Sequence, residues 1–185
     1  MAIKATIYKI HAELADMDRN LYGEYSLTIA SHPSETDERM LIRFLAFILN
    51  VTETSDQGGL EFGNDICDTE GPSVCKKDLT GQIEHWIEVG QPDDRRIMKA
   101  SGRGERITIY SFATSVPIWW AEIAGKVTRA KRLTVWQIPA AESQALSRLA
   151  QRRMELQVTV QDGTVWVSNG TDSVEITPLR LYSAE

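Results

Sequence analysis

The chain has 185 residues, of which 42% are hydrophobic and 25% charged, a composition typical of one globular domain over residues 1–185. Its formal net charge of -6 excludes a protein that coats nucleic acid non-specifically, because such a protein needs an extended basic surface. No apolar run approaches the roughly 20 residues of a membrane-spanning helix, so the sequence predicts a cytoplasmic protein with no membrane partner.

The first thirty residues carry the alternation of a β-hairpin. An apolar period-2 set over residues 3–7 gives way to a second set, on the opposite face, over residues 8–14. This change of face predicts a bulge, or a strand that is covered on both sides. The turn-rich residues 16–20 and the alternation over residues 25–29 then predict an antiparallel partner strand.

A helix is predicted from Ser34 to about Asn50. Acidic residues fill its first turn, and Leu41, Phe44 and Ile48 recur at helical spacing. Residues 51–77 are polar and rich in glycine, which predicts a long irregular connection with a short strand at residues 60–62.

Strands and helices then alternate. The predicted elements are a strand at 83–89, a helix at 92–101, a strand at 106–112, a helix at 116–126, a strand at 133–138 and a helix at 140–151. Connections of helical length imply right-handed crossovers and parallel strand pairing.

The last third of the sequence changes character. Residues 154–161 and 164–168 alternate around an Asp-Gly pair, which predicts an antiparallel hairpin, and residues 174–177 predict a last strand. The fold class is therefore predicted to be α/β, with one mixed central β-sheet and flanking helices. The sheet is expected to be antiparallel at both sequence ends and parallel in the middle.

The strand at 83–89 carries the candidate chemistry. Glu88 lies at its carboxyl end, next to a helix N-terminus, where ligands of α/β sheets collect. A glutamate buried there must be paired, bind a metal or shift its pKa. Asp78 precedes the strand and is a candidate to share one Mg²⁺ with Glu88, the minimum for metal-assisted phosphodiester hydrolysis. The structural alternative is that Asp78 caps a turn and Glu88 pairs with Arg95, Arg96 or Arg106.

Several sequence blocks resemble the YaeQ family. They are residues 1–8, 15–20, 27–40, 78 with 86–93, 119–120, 133–136 and 161–163. That family is described as a variant of the PD-(D/E)XK, or restriction endonuclease-like, nuclease superfamily. The resemblance implies a restriction endonuclease-like core with an N-terminal and a C-terminal antiparallel hairpin. It also implies a metal-dependent nuclease that acts on DNA or RNA.

The resemblance assigns roles to three acidic residues. The acid at the start of the active strand falls on Asp78, the (D/E)XK acid on Glu88, and the helix acid on Glu38. Asp78 and Glu88 are then the expected ligands of Mg²⁺ or Mn²⁺.

One departure from the family pattern concerns the basic group. Position 90 is Gly where the motif has lysine, so the resemblance transfers that role to Lys99, with Gln91 as a supporting polar contact. Arg96, Lys99 and Arg103 share one helical face, which predicts either contact with a phosphate backbone or a solvated surface. The missing lysine keeps two alternatives open: an inactive nuclease-fold protein that binds nucleic acid, and an acidic protein that binds a protein partner.

Two further features bear on partners. The densest basic cluster lies at residues 126–132, where a helix ends, so it is explained either by the helix dipole or by nucleic-acid contact. Trp119 and Trp120 are adjacent and cannot share a helix face. One of them is therefore a candidate for stacking on a base or a partner.

Overall fold

The computed structural model describes residues 4–53, 59–63 and 68–184, and these ranges contain eleven strands and four helices. The strands are β1 (Thr6–Asp16), β2 (Leu21–Ser31), β3 (Leu60–Phe62), β4 (Val74–Lys77), β5 (Ile83–Val89), β6 (Gly104–Phe112), β7 (Leu133–Ile138), β8 (Arg153–Gln161), β9 (Thr164–Ser168), β10 (Ser173–Ile176) and β11 (Leu179–Ser183). The helices are α1 (Asp37–Ile48), α2 (Asp94–Arg103), α3 (Val116–Ile123) and α4 (Ala140–Ser147). Among the described residues, no helix has both the length and the apolar character needed to cross a bilayer.

The described strands form two mixed sheets, where the sequence predicts one. A five-stranded sheet has the order β10-β9-β8-β1-β2, and a six-stranded sheet has the order β11-β7-β6-β5-β4-β3. The single-sheet prediction is wrong because β8 pairs in parallel with β1, which joins the N-terminal hairpin and the strands β8 to β10 in a sheet of their own. Alternation along a strand does not reveal which sheet the strand enters.

The N-terminal hairpin is regular. β1 pairs with β2 in an unbroken antiparallel register, so the predicted bulge is absent. Ile10, Ala12 and Leu14 face the core, whereas Ile7 lies on the other face and is 44% exposed. The change of face in the sequence therefore reflects apolar residues on both faces of one straight strand.

The parallel unit is confirmed. β5 pairs with β6 and β6 with β7, both in parallel, and the connections are made by α2 and α3. The apolar residues of α2 and α3 pack into one cluster with β6 and β7, so both helices cover the same face of the six-stranded sheet.

Helix α1 lies inside the core that the two sheets share. Every residue from Met40 to Ile48 is buried, and the same apolar cluster includes Leu156 of the five-stranded sheet and Ile87 of the six-stranded sheet. A helix that is buried on all sides needs apolar residues around its whole circumference. The exception in this segment is Arg43, a buried charged residue.

The remaining differences concern short elements. The predicted irregular segment 51–77 contains the expected strand β3 and also the unpredicted β4, while its residues 54–58 and 64–67 lie outside the described ranges. β11 was not predicted, and α3 ends at Ile123 before a short 3₁₀ turn at Ala124–Lys126. α4 ends at Ser147, four residues before its predicted end.

Candidate functional site

Glu88 is buried near the carboxyl end of β5. The indole Nε1 of Trp86 donates a hydrogen bond of 2.9 Å to its Oε2, and Arg96 donates to its Oε1 through Nε at 2.9 Å and Nη2 at 2.8 Å. Trp86 and Glu88 meet because residues two apart on a strand share a face. The carboxylate is thus hydrogen-bonded at both oxygens and paired with a guanidinium, which offsets the cost of burying its charge.

Arg96 connects β5 to the loop that precedes β4. Its Nη1 donates to the Thr69 carbonyl at 2.7 Å, and its Nη2 donates to the Gly71 carbonyl at 2.8 Å. Its backbone N–H donates to the side chain of Asp93, which caps the N-terminus of α2. Arg96 therefore holds helix, strand and loop together at this edge of the sheet.

A polar pocket of about 390 Å³ lies beside Glu88. Its lining residues are His32, Ser34, Glu35, Arg39, Thr69, Glu88 and Arg96. Glu35 is buried and accepts hydrogen bonds from Arg39, Arg43 and Ser31. Two buried carboxylates and two half-buried guanidiniums thus converge on one pocket, with Arg43 buried behind it. Guanidinium groups so placed are suited to anionic oxygens.

Asp78 lies in the turn between β4 and β5. Its Oδ1 accepts hydrogen bonds from the Thr80 amide at 2.8 Å, the Thr80 hydroxyl at 2.7 Å and the Gln82 amide at 2.9 Å. The Thr80 hydroxyl, followed by the backbone amides of this turn, lowers the pKa of Asp78. The side chain is exposed and caps its own turn, as the structural alternative for this residue predicts.

The structure does not bring Asp78 and Glu88 together. The amide of Asp78 donates to the Gln82 carbonyl, so Asp78 lies opposite Gln82 across the turn. Gln82 precedes Glu88 by six residues along the same extended segment. At about 3.3 Å per residue the two acids are roughly 20 Å apart along the strand. One ion cannot contact both carboxylates at that separation, so the prediction that Asp78 and Glu88 share one metal ion does not hold in this structure. Among the described residues, no group of three or more His, Cys, Asp or Glu side chains forms a potential metal site.

Glu38 and Gln91 are not among the residues that line the pocket. Glu38 accepts a hydrogen bond of 2.6 Å from Ser143 of α4, so it joins two helices. Gln91 donates from Nε2 to the Phe112 carbonyl and to the Ser115 hydroxyl, which ties the end of β5 to the loop after β6. Both side chains hold neighbouring elements in place.

The basic residues of α2 have separate partners. Lys99 forms an ion pair with Glu70, and Arg103 lies over the ring of Trp86 with its Cζ 5.4 Å from the centroid. Of the three predicted contact residues on this face, Arg96 is the one that lines the pocket beside Glu88.

Sequence reasoning did not single out Glu35 or its arginines. The signal was present: Glu35, Arg39 and Arg43 recur every four residues, so they lie on one side of the helix and its preceding turn. The apolar residues around Arg43 indicated a buried helix, in which an arginine requires a carboxylate partner.

A basic face lies on the outer side of α2 and on the loop after α3. We use this name for the exposed basic residues Arg95, Lys99, Arg103, Lys126, Arg129, Lys131 and Arg132. The loop is attached to α2 because the Lys131 amide donates to the Ser101 hydroxyl, and to β6 because the Ile107 amide donates to the Arg132 carbonyl. Residues 95–132 contain nine basic and two acidic residues in a chain whose net charge is -6.

The fold and the site define a mixed α/β protein of two sheets, with a buried glutamate paired to a half-buried arginine at the end of a parallel strand. The same architecture occurs in two crystal structures. The YaeQ protein from Xanthomonas axonopodis pv. citri matches with a TM-score of 0.90 at 35% identity, over 98% of this chain and 100% of that one. The YaeQ protein from Pseudomonas syringae matches with a TM-score of 0.87 at 31% identity, over 97% of each chain.

The sequence comparisons agree with the structural ones. The family model described as YaeQ protein matches residues 1–178. The uncharacterized protein YaeQ of Escherichia coli (strain K12) is 37% identical over 177 residues, which cover 95% of each chain, and that of Salmonella typhi is equally similar. The chain belongs to the YaeQ family.

Proposed function

We propose that this protein binds nucleic acid through its phosphate backbone, with the basic face as the contact surface. The observation that carries the proposal is the segregation of charge: nine basic and two acidic residues over 95–132, in a chain with a net charge of -6. Lysine and arginine clusters that neutralise phosphates are the main source of affinity for nucleic acid.

The loop at residues 126–132 is the strongest part of this surface. Lys126, Arg129, Lys131 and Arg132 are exposed, and none of them forms an ion pair with an acidic side chain in the described part of the chain. Their charges are therefore available to a ligand. Lys99, by contrast, is paired with Glu70 and would have to exchange that partner for a phosphate.

The pocket beside Glu88 adjoins the basic face through Arg96. Arg96 lines this pocket and also a neighbouring hollow with Arg95 and Lys99. Helix α2 is about 15 Å long. A strand of nucleic acid that lies along this helix would therefore extend from the basic face to the pocket. Arg96 and Arg39 line the pocket there, each paired with a buried carboxylate.

The test is a titration with a fluorescent oligonucleotide at salt concentrations from 50 to 300 mM. We expect the double variant Arg129→Glu/Lys131→Glu to bind roughly 10- to 100-fold more weakly than the wild type. In a plot of log K against the logarithm of the salt concentration, the magnitude of its slope should fall by about 2. The double variant Arg148→Glu/Arg153→Glu changes the net charge equally at exposed residues outside the basic face, and we expect it to bind as the wild type does. Equal losses in both variants, or wild-type binding without salt dependence, would contradict the proposal.

Metal-dependent phosphodiester cleavage is the second candidate, in keeping with the restriction endonuclease-like core that the family resemblance implies. The observation in its favour is that the buried carboxylates Glu35 and Glu88 line one pocket. These two carboxylates do not fit Mg²⁺ or Mn²⁺, because arginines already neutralise both groups and Asp78 is remote.

The cleavage hypothesis has its own experiment. Purified wild type is incubated with single-stranded and duplex DNA and RNA in Mg²⁺ or Mn²⁺, beside Glu88→Ala and Asp78→Ala variants. The hypothesis expects cleavage by the wild type and by Asp78→Ala, with loss in Glu88→Ala. Absence of cleavage by the wild type, or equal cleavage by all three proteins, would leave binding as the proposed function.

A further inference from the structure

An aromatic patch lies on one side of α3 and on the edge strand β11. We use this name for Pro117, Trp120 and Tyr182. The half-buried Trp120 has its ring centroid 5.5 Å from that of Tyr182 and 5.8 Å from that of Trp119. Trp119 is the buried member of the pair and donates a hydrogen bond to the Pro92 carbonyl. Trp120 is thus the tryptophan available at the surface.

The aromatic patch borders the basic loop. Tyr182 pairs with Val135 of β7, and the Ala184 amide donates to the Leu133 carbonyl at the start of that strand. Arg132 precedes Leu133, so it lies three residues from the position opposite Tyr182. At about 3.3 Å per residue that is roughly 10 Å. An extended ligand could therefore contact both surfaces at once.

A basic loop beside an aromatic patch favours a ligand that presents both phosphates and exposed base faces. In a duplex the flat faces of the bases are hidden in the stack, whereas a single strand presents phosphates and base faces together. Proteins that bind single strands combine a basic track with aromatic side chains on which bases stack. An acidic peptide would satisfy the basic loop but would leave the aromatic patch without a matching partner.

We infer that this protein binds nucleic acid as a single strand, with phosphates on residues 126–132 and a base stacked at Trp120 and Tyr182. The inference rests on the proposed function and specifies its ligand.

The experiment compares a labelled 15-nucleotide single strand with the corresponding duplex at one salt concentration. We expect the single strand to bind at least tenfold more tightly. Trp120→Leu should weaken its binding about 5- to 150-fold, the equivalent of one stacked base, without changing the salt slope. Trp120→Phe keeps an aromatic ring and should retain most of the affinity. Trp166→Leu, a half-buried tryptophan on the five-stranded sheet, is the matched control and should bind normally.

Tyr182→Leu tests the second ring of the patch, which lies on an edge strand. It should also weaken single-strand binding. Duplex or polyglutamate binding as tight as that of the single strand would overturn the inference. So would normal single-strand affinity in both Trp120→Leu and Tyr182→Leu. If the patch variants bind the single strand normally while Arg129→Glu/Lys131→Glu binds it more weakly, the proposed function stands and the single-strand inference alone falls. Absence of salt-dependent binding to either form defeats both.

Discussion

Buried charge is concentrated around the first turns of α1. Arg43 is 1% exposed and donates to both oxygens of Glu35 and to the Ala30 carbonyl. Arg39 donates to the same carboxylate from the pocket side. A buried ion pair adds little net stability, but removing one partner leaves an uncompensated charge in the interior.

We therefore expect Arg43→Met to lower the free energy of unfolding by about 3 kcal/mol, the lower end of the usual cost, because Arg39 still contacts Glu35. Urea denaturation at pH 7 would measure this loss. Arg148→Met removes an exposed arginine and should change the stability by no more than about 0.5 kcal/mol. Equal stability of both variants would show that Arg43 does not compensate buried charge.

His85 is a second buried polar residue with a defined role. Its Nδ1 accepts from Arg106 Nη2 at 3.1 Å, and its Nε2 therefore donates to the Thr108 hydroxyl at 2.7 Å. Burial, and then the charges of Arg106 and Lys76, lower the pKa of His85 to about 3. The imidazole is therefore neutral in the folded protein at pH 7.

The pKa of His85 predicts acid sensitivity. In the unfolded chain the imidazole takes up a proton below about pH 6.5, while in the folded protein it stays neutral until about pH 3. Stability is therefore lost as the pH falls from 6.5 towards 3. We expect His85→Gln, which can still accept from Arg106, to show a shallower loss between pH 7 and pH 4.5 in urea denaturation. Parallel curves for the two proteins would contradict this linkage.

At the level of the elements, the sequence predicts the parallel unit well. β5, β6 and β7 carry apolar runs bounded by turn residues, and the segments between them have helical spacing and length. Local pattern and chain topology point to the same arrangement there. Glu88 was placed correctly at the carboxyl end of β5 for that reason.

The sequence could not predict which other elements pair with or pack against this parallel unit. β4 is only four residues long and ends in Lys76 and Lys77, so it lacks a recognisable alternation. The turn that separates Asp78 from Glu88 depends on the pairing of β4 with β5, which no local pattern encodes. For the same reason Glu35 was not associated with Glu88, although both line one pocket.

The pairing of β3 with β4 leaves no room for a side chain at Gly63. The Gly63 amide donates to the Ser73 carbonyl, and a Cβ at this position would overlap the Pro72 carbonyl oxygen. Gly63→Ala should therefore displace β3 from β4 and cost about 1–3 kcal/mol, a magnitude typical of overpacking. Hydrogen exchange at residues 60–63 should become faster. Gly102→Ala, on an open side of α2, should be neutral or stabilising, and unchanged exchange in Gly63→Ala would contradict the geometry.

On the scale of the whole molecule, the two sheets share one apolar core. Leu156 of β8 and Ile87 of β5 belong to the same buried cluster, with α1 between the sheets. Contacts of this kind couple the stability of one sheet to that of the other. The prediction of one domain over residues 1–185 thus has a physical consequence that can be measured.

We expect the protein to unfold in a single cooperative transition, with far-UV circular dichroism and tryptophan fluorescence changing together. Leu156→Ala and Ile87→Ala each remove a buried side chain and should lower the same midpoint, at a cost of about 2–5 kcal/mol each. If each sheet instead had its own core, Leu156→Ala would shift one transition and leave a second in place. Two separable transitions would therefore divide the chain into two folding units, because a shared core requires that loss of packing in either sheet destabilises both.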